Sequence, residues 1–187
     1  MFIQTEQTPN PTTLKFLPGV EVMKSGTADF RNEEEATRSP LASRLMKVDD
    51  IVGVFFGNDF VSVTKVDDSD WQILKPVILG IMMEHFVSQQ PLIESEVEQS
   101  QKTNITYAEA DSEIVGQIIE LLETRVRPAV AQDGGDIEFR GFEKGVVLLQ
   151  LHGSCQGCPS ATMTLKMGVE NMLKHYIPEV VEVRAVG

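Results

Sequence analysis

The sequence predicts an α+β protein made of two small mixed domains joined by an acidic linker. Two observations lead to this fold class. Short apolar runs rich in β-branched and aromatic residues, typical of strands, are interspersed with segments whose apolar residues recur at helical spacing. From residue 91 to 111 this patterning disappears and Glu, Ser and Gln accumulate, as in a solvated linker. We therefore expect one domain at 1–90 and a second at 112–187.

Strands and helices are both predicted in the first domain. Ser39 and Asp70 are suited to cap its helices, and the Gly-Asn-Asp sequence at 57–59 favours a hairpin turn. The residues of the longer helix that we expect to be buried are Leu74, Ile78, Ile81 and Met82. The predicted elements are strands at 2–4, 12–17, 20–23, 51–56 and 60–66, and helices at 40–46 and 71–87.

The second domain is expected to follow the order helix, strand, strand, helix, strand. Thr106, Asp111 and Ser112 are alternative N-caps for its first helix, which should end at Arg127 because a proline follows. Two glycines between two aspartates predict a turn at 133–136. The remaining predicted elements are strands at 137–142, 145–151 and 181–185 and a helix that begins at Pro159 and ends before Pro178.

The only two cysteines of the chain, Cys155 and Cys158, lie between a predicted strand and a predicted helix. A helix N-terminus has unpaired N–H groups and a partial positive charge, which lower the pKa of nearby thiols and favour thiolates. Gly153 and Gly157 allow the backbone to bend tightly around a ligand held by both sulfurs. We expect both thiols to be exposed, so a serine at either position should abolish ligand binding and leave the fold intact.

Composition restricts the partners and the compartment. The formal net charge of −12 disfavours a nucleic-acid backbone or an anionic membrane, because both would repel the chain. No apolar run approaches the roughly 18–20 residues that span a bilayer. The first residues, MFIQTEQTPNP, have the features of neither a signal peptide nor a transit segment, which favours a reducing, intracellular compartment. Cysteines there are more often metal ligands or redox groups than structural disulfides.

Several chemistries could use the cysteine pair. A thiol-disulfide oxidoreductase also carries Cys-x-x-Cys between a strand and a helix, although the β-α-β unit that surrounds such sites is missing here. A zinc site needs four ligands; His152 could be a third, but no fourth is apparent, and an ordinary hydrogen-bonded role is favoured. A structural disulfide would close a very small loop and constrain little of the unfolded chain.

A further possibility follows from counting ligands. An iron–sulfur cluster usually takes four thiolates and each chain offers two, so two chains sharing one cluster across a two-fold axis would complete the set. A cluster held near the surface between subunits would leave more readily than one enclosed by a single chain. Such lability suits a carrier better than an electron-transfer protein.

Several motifs resemble the NifU-like domain over residues 112–187. They are Arg127–Pro128, Asp133–Asp136 (DGGD), Gly153–Ser160 (GSCQGCPS) and Thr164–Glu170 (TLKMGVE). In addition, Thr8–Phe16 (TPNPTTLKF) resembles the start of the N-terminal domain of Nfu-type iron–sulfur scaffold proteins, the form found in bacteria and mitochondria. The two resemblances together cover nearly the whole chain.

The resemblance implies a scaffold or carrier rather than an enzyme. It implies that Cys155 and Cys158 of two subunits bind one [4Fe-4S] cluster, or a [2Fe-2S] cluster, in a homodimer. Its implied partners are upstream cluster-assembly proteins and apo-protein clients, such as enzymes that make or use lipoyl groups. The implied location is the bacterial cytoplasm, or the mitochondrial matrix if a presequence has been removed. A thiol-disulfide oxidoreductase is the main alternative, and a structural adaptor is a third.

The first domain has no cysteine, and contact with clients or partners is its expected role. In the second domain, Met163 and Met167 lie four residues apart, off the apolar stripe of the cysteine helix. We expect them to cover the cluster, to pack across the dimer, or simply to be partly buried. That stripe comprises Ala161, Leu165, Val169 and Met172.

The remaining polar and aromatic residues have ordinary structural interpretations. Asp133 and Asp136 fit a turn better than a pair of catalytic carboxylates, because two glycines separate them. His85 and His175 form no recognisable triad, and both are expected to be structural. Trp71 is expected to pack in a core.

Overall fold

The structure is a computed structural model that describes residues 1–94 and 105–186. The chain divides into two compact units, Met1–Val97 and Glu98–Gly187, and each has its own apolar core. Both units combine strands and helices, so the predicted α+β fold class is confirmed. Part of the predicted linker, residues 95–104, lies outside the described residues, whereas Thr106–Tyr107 form a strand, so the linker prediction is wrong there.

The first unit is an antiparallel sheet with helices. Its elements are β1 (Gln4–Gln7), β2 (Thr13–Leu17), β3 (Ala28–Phe30), α1 (Glu33–Ala36), α2 (Pro40–Met46), β4 (Ile51–Phe56), β5 (Val61–Lys65) and α3 (Trp71–Val87). The strands lie in the order β1-β2-β5-β4-β3, and every neighbouring pair is antiparallel. Phenylalanines from the strands and leucines from α2 fill the core.

The predicted helix caps of this unit are confirmed. Ser39 Oγ accepts a hydrogen bond from the Ala42 N–H at 3.1 Å, and Asp70 Oδ1 accepts one from the Gln72 N–H at 2.8 Å. Trp71 packs against the core and donates its indole N–H to the Pro11 carbonyl at 3.1 Å. The buried residues of α3 include the predicted Leu74, Ile78 and Met82, and Ile81 is partly buried.

Two strand predictions in the first unit are wrong. No strand forms at 20–23, because the Val22 and Met23 N–H groups both donate to the single Asn58 carbonyl instead of joining a ladder. A short strand, β3, forms a few residues later and pairs with β4. The first strand begins at Gln4 rather than Phe2, whose side chain is exposed.

The second unit follows the predicted order, with an additional short strand before the first helix. Its elements are β6 (Thr106–Tyr107), a 3₁₀ turn (Glu109–Asp111), α4 (Ser112–Leu121), a π-helical segment (Leu122–Val126), α5 (Arg127–Gln132), β7 (Gly135–Glu143), β8 (Val146–Gly153), α6 (Pro159–Tyr176) and β9 (Glu182–Val186). The sheet order is β6-β7-β8-β9. The central pair β7/β8 is antiparallel, whereas β6/β7 and β8/β9 are parallel. β8, α6 and β9 thus form a β-α-β unit with the cysteines at its first junction, so the expectation that such a unit is missing is wrong.

The prediction that the first helical segment ends before Pro128 is wrong. The segment continues to Gln132. A proline in a regular α-helix loses one hydrogen bond and its ring collides with the preceding turn. Here the turn before the proline is π-helical, with the Arg127 N–H donating to the Leu122 carbonyl five residues back. This wider turn accommodates Pro128, and the helix passes through it. Thr106 does not cap the helix, because it belongs to β6 and pairs with β7; of the three predicted alternatives, Asp111 occupies the N-cap position of α4.

The core of the second unit combines sheet residues with residues of α4, the π-helical segment, α5 and one side of α6. Val169 and Leu173 of α6 are buried, and Leu165 and Met172 are partly buried, while Ala161 lies outside the residues whose side chains are described. In β9 only Val183 is buried. Val181 lies before this strand and is 63% exposed, so the predicted alternation holds at one position. Among the described residues, no helix is long and apolar enough to cross a membrane.

Candidate metal centre

The cysteine loop, residues 154–158, connects the end of β8 to the start of α6, as the sequence predicts. Cys158 occupies the N-cap position of α6, and Pro159 begins the helix. Gly153 and Gly157 have φ values of 64° and 81°, which place both in the left-handed region that favours glycine. The loop therefore presents its second cysteine directly at a helix N-terminus, where partial positive charge accumulates.

Hydrogen bonds attach this loop to its surroundings on two sides. On one side, Ser154 Oγ donates to the Asp133 carbonyl and the Ser154 N–H donates to the Gly134 carbonyl. On the other, Thr162 of α6 donates its hydroxyl to the Cys155 carbonyl and its N–H to the Cys158 carbonyl, both at 2.9 Å. The loop is thus held between the turn before β7 and the first turn of α6.

Gly135 lies directly against the first cysteine. A Cβ at this position would come within 2.7 Å of both Cys155 Sγ and the His152 carbonyl, closer than Cβ atoms approach other heavy atoms. Only glycine allows the backbone of β7 to approach the loop this closely. The sequence predicts a turn at 133–136, but β7 already begins at Gly135, and the second glycine serves a close approach.

The residue after this glycine takes part in an ion pair that the sequence analysis missed. Arg127 donates two parallel hydrogen bonds to Asp136, from Nε to Oδ1 at 2.9 Å and from Nη2 to Oδ2 at 2.8 Å. Its remaining Nη1 contacts Glu123 at 2.7 Å. Asp136 is only 6% exposed, and its hydrogen bond holds the pKa of the Arg127 guanidinium even higher than usual. The two residues are nine apart, a spacing that no local periodicity brings together.

Cys155 differs from the exposed thiol that the sequence predicts. It is 7% exposed and belongs to the apolar core of the second unit. Burial raises its pKa to about 11; Asp133 and Asp136 act in the same direction, while a hydrogen bond with Ser154 opposes them. The prediction of a lowered pKa is wrong for this thiol because desolvation outweighs the position before a helix. The prediction that Cys155→Ser leaves the fold intact assumed an exposed thiol, and Cys155 is not exposed.

Cys158 is partly exposed, and its Sγ lies 3.4 Å from Ser160 Oγ. Together with the first turns of α6, it lines an open groove of about 570 Å³. No disulfide joins Cys155 and Cys158, so the structural disulfide expected as one alternative does not form. One sulfur thus lies against the core and the other at the surface.

The structure favours the ordinary role of His152. Its Nε2 lies 3.3 Å from Glu138 Oε2 on the neighbouring strand, and this hydrogen bond lowers the pKa of Glu138. Among residues 1–94 and 105–186, no group of three or more His, Cys, Asp or Glu side chains is placed to hold a metal ion. Within that part of one chain, the thiols of Cys155 and Cys158 have no further candidate ligand.

Comparisons with known proteins agree with these features. The family model described as scaffold protein Nfu/NifU N terminal matches residues 3–89, and the NifU-like domain model matches residues 118–184. The protein named NifU-like protein 4, mitochondrial, from Arabidopsis thaliana is 54% identical over 183 residues, covering 96% of this chain and 64% of that protein. The Homo sapiens protein named NFU1 iron-sulfur cluster scaffold homolog, mitochondrial, is 48% identical over 187 residues, covering 100% and 72%.

The chain therefore spans about two thirds of the length of these relatives. Among solved structures, the solution NMR structure of a NifU-like protein from Saccharomyces cerevisiae aligns with a TM-score of 0.47 and 24% identity. That alignment covers 51% of this chain and 87% of the other. The two matched family ranges contain the motifs that carry the resemblance at the sequence level.

Proposed function

We propose that this chain, which belongs to the Nfu/NifU-like scaffold family, carries an iron–sulfur cluster and transfers it to apo-proteins. The observation that carries the proposal is the pair of cysteines outside any disulfide just before α6, with no third metal ligand placed nearby in the described part of the chain. Half a ligand set suits a site that is completed by a second molecule. It also suits a cargo that must leave again.

The cargo we propose is a [4Fe-4S] cluster, with a [2Fe-2S] cluster as the smaller alternative. Cys155 and Cys158 of two copies would supply the four thiolates, so the loaded form is a homodimer. The N-terminus of α6 favours the negative charge of the thiolates and the cluster, because its first N–H groups and helix dipole face that charge. No atom of the protein needs to change its bonding other than the two sulfurs.

Burial of Cys155 favours release of the cluster. A metal-bound thiolate has lost its proton, so binding must displace the proton from a thiol whose pKa is raised to about 11. After the cluster leaves, the protonated thiol is stable in the core. This opposing preference weakens retention, which a carrier needs and a permanent electron-transfer centre does not.

The same feature counts against a thiol-disulfide oxidoreductase. Thiol exchange requires one thiolate that attacks the target disulfide and a second that resolves the mixed disulfide. Cys158 is accessible for the first step, but Cys155 is buried and its raised pKa makes it a poor resolving thiol. We therefore propose a carrier rather than an enzyme.

The proposed partners are proteins that donate a cluster to the chain and apo-proteins that receive one. The first unit holds no cysteine, and we assign it contact with these partners. The relatives named above are called mitochondrial, and for this chain we propose a reducing compartment, either the mitochondrial matrix or a bacterial cytoplasm.

Anaerobic reconstitution with ferrous iron and sulfide tests this function. Absorption and Mössbauer spectra, iron content and mass should be measured on the same size-exclusion peak. We expect a dimer with about four irons. Addition of an apo-ferredoxin should then move the cluster signal to that protein. A colourless monomer that forms a reversible Cys155–Cys158 disulfide would instead establish redox chemistry.

Two variants assign the ligands. Cys158→Ser and Cys155→Ala should each abolish cluster binding. Alanine is chosen at position 155 because a serine hydroxyl would be buried in the core without an assured partner. Apo-protein melting curves serve as the control for folding. A single variant that still assembles a full cluster would show that the ligand assignment is wrong.

A further inference from the structure

The groove beside Cys158 presents an apolar surface that the second unit leaves uncovered. We name it the methionine groove; its lining includes Cys158, Thr162, Met163, Lys166, Met167 and Glu170. Met163 and Met167 are 64% and 59% exposed, although both side chains are fully apolar apart from a thioether sulfur. They lie one helical turn apart, so they form one continuous strip next to the cysteine.

Met163 and Met167 do not belong to the apolar core of the second unit. The core side of α6 carries Val169 and Leu173, which are 4% and 0% exposed. Met163 and Met167 lie on a different side of the helix and are absent from that core cluster. The helix therefore has two apolar surfaces, of which only one is covered within the described chain.

Ligand counting identifies what covers the other surface. This step rests on the proposed function, in which two copies hold one cluster. A two-fold axis that passes through a shared cluster must lie close to Cys158 of both copies. The surface around Cys158 of one copy then faces the same surface of the second copy. The methionine groove contains Cys158, so it meets the methionine groove of the second copy.

The charges of the groove agree with self-association. Two chains with a net charge of −12 repel each other over most of their surfaces. The groove combines one cation, Lys166, with one anion, Glu170, around an apolar centre. The Glu170 carboxylate is itself paired with Lys174 at 2.7 Å, which adds a second cation beside the groove. An isologous contact requires a surface that complements itself, and a patch with both signs satisfies this requirement where a wholly acidic patch would not.

We propose that Met163 and Met167 pack against the same residues of a second copy when the cluster is bound, and that they form the apolar centre of the dimer interface. The cysteines connect the two copies through the cluster, and the methionines cover the contact beside it. The interface assembles with its cargo, because the shared cluster holds the two grooves together.

The double variant Met163→Glu/Met167→Glu tests the interface. It places two carboxylates in each groove, so four would meet across the two-fold axis. After anaerobic loading with ferrous iron and sulfide, we expect the dissociation constant of the dimer to rise by about tenfold or more. Iron retention per chain should fall in parallel. Analytical ultracentrifugation and iron content give the two readouts. The circular dichroism melting curve of the apo-protein shows whether the variant folds.

A matched control is Asn171→Glu/His175→Glu. Both residues are exposed on α6, have the same spacing of four and lie outside the groove. This variant should dimerise and retain iron like the wild type. Met163→Leu/Met167→Leu keeps the surface apolar and should also dimerise. If the glutamate pair melts early, Lys166→Glu gives a second test, because it makes the groove uniformly acidic and should weaken the loaded dimer most at low salt.

The outcomes separate the two proposals. If the wild type forms no cluster-bound dimer, the proposed function fails together with the interface. If the wild type forms one and the glutamate variants dimerise equally well, only the interface is overturned. Loss of the dimer in both the groove variant and the control at α6 would also overturn it, since added charge alone would explain the result.

Discussion

Gly135, the first residue of β7, lies so close to Cys155 that there is no room for a side chain between the strand backbone and the thiol. A Cβ on Gly135 would lie 2.7 Å from Cys155 Sγ, and also 2.7 Å from the His152 carbonyl. The strand therefore cannot carry a side chain at position 135 unless Cys155 or the backbone at His152 moves. The geometry of the candidate site is therefore set in part by a residue that has no side chain.

Gly135→Ala should displace Cys155 and destabilise the second unit. Overpacking of this kind typically costs about 1–3 kcal/mol, and iron retention after reconstitution should fall as well. Gly116→Ala is the matched control, because a Cβ there meets nothing within 4 Å on an exposed helix. It should stabilise the unit by about 0.5–1 kcal/mol. Urea denaturation followed by circular dichroism measures both; equal stability of the two variants would contradict the close approach.

Arg127→Met should destabilise the second unit through Asp136. The carboxylate is 6% exposed and would lose both parallel hydrogen bonds, leaving a largely buried charge without its cation. Removing one partner of such a pair costs about 3–5 kcal/mol when fully buried, and we expect about 2–3 kcal/mol because the Arg127 side chain is 33% exposed. Arg127→Lys should recover only part of this loss, since an ammonium cannot form the fork.

The exposed pair Arg184–Glu182 is the control for this prediction. Its side chains are 59% and 39% exposed, so Arg184→Met should leave the free energy of unfolding nearly unchanged. The free energy of unfolding in urea gives the comparison. If Arg127→Met is as mild as Arg184→Met, the buried ion pair does not stabilise the site.

The two thiols should react at different rates in the apo-protein. Cys155 is buried and its pKa is raised to about 11, whereas Cys158 is partly exposed at the N-terminus of α6. Iodoacetamide alkylation of the single variants Cys155→Ala and Cys158→Ser, followed by mass spectrometry, measures each thiol alone. We expect Cys158 to react at least about tenfold faster at pH 8. The Cys155 rate should still be rising with pH above 9, and comparable rates at pH 8 would disprove the difference.

The stability of the first unit should depend on pH through His85. This side chain is 0% exposed, and neither ring nitrogen has a hydrogen-bond partner among the described residues. Burial lowers its pKa, and nearby Arg44 lowers it further. Below about pH 6.5, His85 binds a proton in the unfolded chain but stays neutral in the folded chain. The free energy of unfolding should therefore fall by up to about 1.4 kcal/mol per pH unit until the pKa of His85 in the folded chain is reached.

The single tryptophan, Trp71, reports unfolding of this unit by fluorescence. His85→Leu should flatten the dependence between pH 7.5 and 5.5, because no proton is then taken up at this position on unfolding. His175→Leu, an exposed histidine in the second unit, should leave the fluorescence-detected slope unchanged. An unaltered slope in His85→Leu would assign the pH dependence to other groups.

Much of the fold could be predicted because its signals are local. Ser39 and Asp70 cap the helices that follow them, and Pro159 begins α6, because each satisfies or avoids a backbone N–H within one turn. The location of Cys155 and Cys158 between a strand and a helix was equally predictable from the apolar patterns on either side. The family resemblance came from short motifs that stand unbroken in the sequence.

The remaining features depend on contacts between residues distant along the chain. Thr106 pairs with β7 instead of capping a helix, and the helix passes through Pro128 because the turn before it is widened. The burial of Cys155 depends on a strand that begins twenty residues earlier, at Gly135. The sequence by itself determined which residues could bind a metal. Only the tertiary structure decided that one thiol is buried and the other exposed, because desolvation depends on packing that local sequence does not encode.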